Sequence, residues 1–308
     1  VAAQDVGRVV EAVWRMESAR IIGALARMLR DVGLAEELAQ DAVVQAFESW
    51  PVSGTPDKPA AWLMQVAKNR ALDHLRHQAL HRNKEGELTW EIETQLQDNQ
   101  PDLDELVDRD IGDDVLRLMF VSCHPVLSTE ARAALSLKVL GGLTTGEIGR
   151  AFLVSESTVA QRIVRAKRTL AEARVPFEVP RGADLKPRLA SVLQVIYLIY
   201  NEGYSASAGS DWLRPGLCRE ALRLGRVLAE LMPEEGEVHG LVALMEIQSS
   251  RERARLKPDG EPVLLMDQDR SRWDQLLIRR GLAALERAAQ CGAFGPYAIQ
   301  AAIAACHA

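Results

Sequence analysis

Between residues 143 and 170 the chain marks the starts of two helices so close together that only a tight corner fits between them. Thr144 is placed as an N-cap with Glu147 three residues on, the spacing of a capping box. Leu143 and Ile148 flank that cap as a hydrophobic staple. Ser155 repeats the device, with Val154 and Val159 on either side. The short corner around Leu153 has the length of a helix-turn-helix. In the second helix Val159, Ile163, Ala166 and Leu170 fall on one stripe at about 100° per residue and are expected to face a core. The opposite side carries Ser157, Thr158, Gln161, Arg162, Arg165 and Arg168. Hydroxyl, amide and guanidinium groups are the chemistry that reads base edges and grips phosphates. A charged helix face is also compatible with plain solvation, but caps, corner, stripe and basic face agree on a major-groove reader.

A second basic segment lies upstream. From 59 to 84 the chain carries Lys68, Arg70, Arg76, Arg82 and Lys84, with Asp73 as the only acid. On a helix, Trp62, Gln65, Asn69, Asp73 and Arg76 share one side. An aromatic ring beside amides and an arginine suits unstacked bases, although a lone Trp such as Trp62 is more often a core residue than a stacking platform. The stretch 50–58, with Pro51, Ser53, Gly54, Pro56 and Asp57, is expected to be a loop.

The run from Ala35 to Trp50, that loop, and the run from Ala61 to Arg76 together resemble region 2 of a bacterial sigma-70 family factor, and the helix-turn-helix resembles region 4. Their spacing, with no region 3 between them, is similar to the extracytoplasmic-function (ECF) group. The resemblance covers roughly the first 175 residues. It implies a helix that docks on core RNA polymerase through Glu37, Gln40, Asp41 and Gln45, with Ala39, Val43, Ala46 and Phe47 holding it to its neighbours. It also implies capture of flipped minus-ten bases near Trp62, Asn69, Arg70 and Arg76, and reading of the minus-thirty-five element by the second helix of the helix-turn-helix. Implied partners are core RNA polymerase and promoter DNA. No catalytic residue and no cofactor is implied, since the polymerase performs the chemistry.

The net charge of −6 runs against nucleic-acid binding only when averaged over the chain. The stretch from 85 to 114 holds twelve acids against Arg109 alone, whereas the helix-turn-helix and the 59–84 segment are basic. Local charge within a Debye length, about 8 Å at physiological salt, sets the field at a groove. The acidic stretch therefore reads as a linker between two basic modules. Ahead of the helix-turn-helix, 116–120 and 130–140 read as helices, the latter capped by Ser128 or Thr129 and stopped at Gly141-Gly142, with Pro125 between them.

Beyond residue 175 the chain is rich in Ala and Leu, with helical segments expected at 184–201, 217–232, 237–250, 270–290 and 296–307. Paired by short turns, they resemble the tetratricopeptide-like extension of one ECF subgroup, and a partner for it is expected, either another protein or another part of this chain. The last helix has no polar capping unit, so further helices are expected to follow. Gly203 in the run Asn201-Glu202-Gly203-Tyr204 reads as a left-handed helix terminus, with a binding elbow as the alternative. The sole strand candidate is 261–266. Cys123-His124 and Cys306-His307 are too far apart in sequence to argue a zinc site, so no metal is expected. Four scattered cysteines, no secretory signal and no apolar run of membrane-spanning length point to the cytoplasm and away from membranes.

The expected fold is mainly α: region 2 at 6–84, an acidic linker at 85–112, a region 4 helix-turn-helix at 113–175, and a helical hairpin-repeat extension at 183–308. The expected function is promoter recognition and transcription initiation with core polymerase. A stand-alone helix-turn-helix regulator with a helical sensor is the alternative. No P-loop, HExxH, GxGxxG or compact triad argues for an enzyme.

Overall fold

The computed structural model describes residues 2–83, 103–204, 215–257, 261–292 and 295–308. Twelve α-helices are present among them, and no β-strand. They divide into two compact units, Val1–Gly149 with Ser155–Arg188, and Arg150–Val154 with Leu189–Ala308.

In the first unit α1 (Ala2–Leu29) packs on α2 (Val32–Ser53), α3 (Pro59–Asn83) and α4 (Leu103–Ser122). The inward face of α2 is a stripe of small residues, Ala35, Ala39, Ala42 and Ala46, ending in the buried Trp50. Small side chains let the helix axes approach closely, and Ile21, Ile22 and Leu25 of α1 with Leu63, Ala67 and Ala71 of α3 fill the space left. This narrow stripe corrects one expectation: Ala39 and Ala46 are buried and Val43 half-buried, but Phe47 is 49% exposed. A second correction concerns 50–58. The helix runs on through Pro51 to Ser53, because a proline in the last turn forfeits only one ladder bond, and Gly54 N–H closes the turn on the Trp50 carbonyl (3.0 Å).

The acidic stretch read as a linker lies outside the described residues up to 102, while 103–112 form the first part of α4. Helix α5 (Thr129–Val139) starts at Ser128, whose hydroxyl accepts from Ala131 N–H (3.3 Å). Then come α6 (Thr145–Phe152) and α7 (Glu156–Glu172), the two helices of the helix-turn-helix, with α7 packed on α5 and α2.

The second unit is built from the rest of α8 (Leu185–Tyr204), α9 (Pro215–Leu231), α10 (Gly236–Ser249), α11 (Gln275–Gln290) and α12 (Pro296–Ala305). Helix α10 packs against α9, α11 and α12, which is why its whole run from Leu241 to Ile247 is buried. Glu246 within that run is neutralised by Arg226 of α9 (2.6 Å). Glu237 at the start of α10 accepts from the Tyr297 and Ala298 N–H groups (3.0 and 3.2 Å), capping α12 from outside. Gly203 is not left-handed, since α8 continues through it. A Cβ there would come within 2.7 Å of the Cys218 nitrogen, so it is a contact glycine where α8 meets α9. The expected strand at 261–266 reduces to one isolated bridge, Leu256 with Pro262, and the Pro258-Asp259-Gly260 turn lies outside the described residues.

Candidate nucleic-acid interface

The start of each helix of the helix-turn-helix is fixed by side-chain chemistry read directly from the sequence. The Thr144 hydroxyl accepts from Glu147 N–H (3.2 Å), and Glu147 accepts in turn from Thr144 N–H (2.8 Å). Ser155 accepts from Thr158 N–H (3.2 Å) and opens α7. Between them Leu153 takes φ 51°, a left-handed residue that reverses the chain within the corner. Thr145 of α6 donates to Glu156 of α7 (2.7 Å), a further tie across the corner.

Helix α7 then presents two faces. Val159, Ile163, Ala166 and Leu170 are all buried, as the stripe predicts. Ser157, Gln161, Arg165 and Arg168 are exposed on the other side, with Thr158 and Arg162 half-buried beside them. The Ser157 and Thr158 hydroxyls lie 2.9 and 2.7 Å from the Ser155 hydroxyl, so the start of the helix holds a small polar cluster. Arg168 is ion-paired with Glu172 one turn on (2.6 Å).

On α3 the exposed stripe is Gln65, Asn69, Asp73 and Arg76, with Trp62 half-buried at its upper end. Trp62 meets Trp50 in an edge-to-face contact, ring centroids 5.3 Å apart, and stays only partly exposed. Gln65 donates to Asn69 (2.9 Å), and Arg76 pairs with Asp73 (3.2 Å). Arg70 does not lie on this stripe. Its guanidinium reaches back to α2, donating to Gln45 (3.1 Å) and Asp41 (3.4 Å). The structure thus joins one residue assigned to the minus-ten element with two assigned to the polymerase. Of the other two polymerase candidates, Glu37 is exposed, and Gln40 is half-buried and donates to Glu36.

Sequence reasoning passed over the residues that hold the two basic modules together. Glu36, 5% exposed, pairs with Lys167 of α7 and with Lys138 of α5 (3.6 Å). Arg15 of α1 pairs with Glu147 of α6, adding an ion pair to the capping box. No local pattern marks these side chains, because each pair joins residues more than a hundred positions apart. Near the seam, burial and the neighbouring Arg27 lower the Lys68 ammonium below its ordinary pKa, against the attraction of Asp114.

No group of three or more His, Cys, Asp or Glu that could hold a metal occurs among the described residues. Cys123 is buried and 3.3 Å from the Ser136 hydroxyl, and burial pushes its thiol pKa up. Among the described residues no helix is long and apolar enough to cross a membrane.

Comparison with known proteins follows the same division. Residues 13–80 match Sigma-70 region 2, and residues 117–170 match Sigma-70, region 4. Residues 188–289 match a family of unknown function (DUF6596). An uncharacterized protein of Rhizobium meliloti (strain 1021) is 45% identical over 288 residues, 93% of this chain and 67% of the relative. The ECF RNA polymerase sigma factor SigK of Mycobacterium ulcerans is 28% identical over 155 residues, 49% of this chain and 78% of its own length. A probable ECF RNA polymerase sigma factor, SigI of Mycobacterium tuberculosis, is 27% identical over 172 residues, 55% of this chain and 57% of its own length. No solved structure matches the chain. With both sigma regions in order and ECF factors among its relatives, the chain belongs to the extracytoplasmic-function group of the sigma-70 family of RNA polymerase sigma factors.

Proposed function

We propose that this sigma factor divides its work among three helices. Helix α2 docks core polymerase through Glu37, Gln40, Asp41 and Gln45. Helix α3 receives opened minus-ten bases on the stripe bearing Trp62, Asn69 and Arg76, with Arg70 as the link to α2. Helix α7 enters the major groove at the minus-thirty-five element with Ser157, Thr158, Gln161, Arg162, Arg165 and Arg168. The observation that carries this reading is the two-faced α7: a buried apolar stripe under an exposed polar and basic one, held at a fixed corner to α6. A domain division at 6–84, 85–112, 113–175 and 183–308 goes with these roles. The helices after residue 183 we read as a tetratricopeptide-like module that engages a protein partner or another part of the chain. The packing of α10 between α9, α11 and α12 supports a helical scaffold there.

Run-off transcription with core bacterial polymerase on a promoter pool tests the reading. Initiation from a defined promoter subset that depends on the chain is the expected result. With initiation established, N69A and R76A should lose open-complex formation while retaining duplex binding through α7. Equal loss of both activities would overturn the assignment of α3. Specific duplex binding without any polymerase-dependent initiation would favour the stand-alone regulator instead.

A further inference from the structure

In the first unit a cleft of about 810 Å³ opens where the α1–α2 corner meets the end of α7 and the segment after it. That volume lies in the range of small-molecule sites, about 300–1,000 Å³. Five cations line it: Arg27 and Arg30 from the corner, Arg117 from α4, Lys167 from α7 and Arg174 just beyond α7. Three of them already have carboxylate partners. Arg27 and Arg117 share Asp114 (3.3 and 2.6 Å), and Lys167 is taken by Glu36. Arg30 and Arg174 form no ion pair among the described residues. Both also take the left-handed conformation, φ 54° and 48°, which arginine rarely adopts.

Two acids line the cleft as well. The Asp31 carboxylate is committed to the α2 cap, accepting from Leu34 N–H (3.0 Å), which leaves Glu178 as the one other acid against the five cations of the lining. Phe177, half-buried in the segment after α7, gives one wall an aromatic face, and Pro176 and Leu170 continue the apolar side. Paired cations with an aromatic wall suit a ligand that combines phosphates with a flat ring.

We propose that this cleft binds a small polyphosphorylated nucleotide, its phosphates between Arg30 and Arg174 and its base against Phe177. The site is separate from the promoter-reading faces, so it stands or falls independently of their assignment. Arg30 follows α1 and Arg174 follows α7, so a ligand held by both would tie the two sigma regions together.

Calorimetric titration of the full chain with GTP, ATP and sodium tripolyphosphate tests this. The paired substitutions R30G and R174G remove both cations and keep a residue that accepts the left-handed backbone. The expected result is saturable binding of one nucleotide per chain. R30G/R174G should weaken it at least tenfold, and R279A, an exposed arginine of α11, should leave it unchanged. Phe177→Ala should weaken the nucleotides and spare tripolyphosphate. Tripolyphosphate binding as tightly as the nucleotides would overturn the assignment of the base. No saturable binding of any of the three probes would overturn the proposal, and a lower melting temperature for R30G/R174G would then assign these arginines to the negative ends of α1 and α7 alone.

Discussion

Glu147 serves two parts of the fold at once. It closes the capping box on Thr144 and pairs with Arg15 of α1. Burial opposes its charge, but the Thr144 bonds and the Arg15 guanidinium outweigh that and hold its carboxyl below the ordinary pKa. A carboxyl lowered on folding contributes stability above its unfolded pKa and loses it as pH falls through the folded value. Glu147→Ala should therefore cost about 1–2 kcal/mol at neutral pH in urea unfolding, with the difference shrinking in acid. An unchanged midpoint would remove this residue from the account. His124 offers a second test. Burial, with Arg188 nearby, lowers its pKa from 6.5 to about 4. The unfolded chain then binds the proton more readily, so stability falls as pH drops from 6.5 towards 4. Following the imidazole by NMR should place its midpoint near 4, and an ordinary midpoint would contradict the half-buried neutral ring. At this scale the caps were legible because a cap is a local pattern of a few residues. Gly203 was not, because what excludes a side chain there is the Cys218 backbone of another helix.

Helix α7 was the most legible element, since one periodicity separates its buried stripe from its basic face. Arg165 is exposed on that face, and Arg165→Ala should weaken duplex binding and reduce the salt slope by about one if its contact is to phosphate. Unchanged affinity and slope would move the DNA contact elsewhere on α7. Two other elements were harder to read. The acidic residues of 103–112 suggested a linker, although Leu103, Leu106, Val107 and Ile111 recur at helical spacing and the segment is helical. Charge set the reading there, and the helical spacing went unweighed. In α2 Phe47 was expected inside with Ala39, Val43 and Ala46 as the apolar side of the helix. The alanine stripe decides the inward face instead, since small residues permit the closer approach to α1 and α3.

At the scale of the molecule the sequence marks the two sigma regions but not how they meet. Their junction in the first unit rests on long-range charge pairs, with Glu36 shared by Lys138 and Lys167 and Glu147 held by Arg15. Glu36→Ala would leave two half-buried lysines without their acid, and should lower unfolding stability by about 1–3 kcal/mol. A midpoint within error of the native chain would mean that these pairs add nothing to the junction. The extension was legible as helices and turns, since Pro and Gly punctuate it, while the central place of α10 depends on contacts no local pattern encodes. The bonds of Arg70 to Asp41 and Gln45 have a thermodynamic consequence. On the proposed assignments, polymerase drawing on Asp41 and Gln45 frees the guanidinium for DNA. The coupling must be reciprocal: opened promoter DNA tightens polymerase binding by the same factor that polymerase tightens the capture of DNA. In Arg70→Ala both factors should approach one together, so that two binding steps linked in the native factor become independent events.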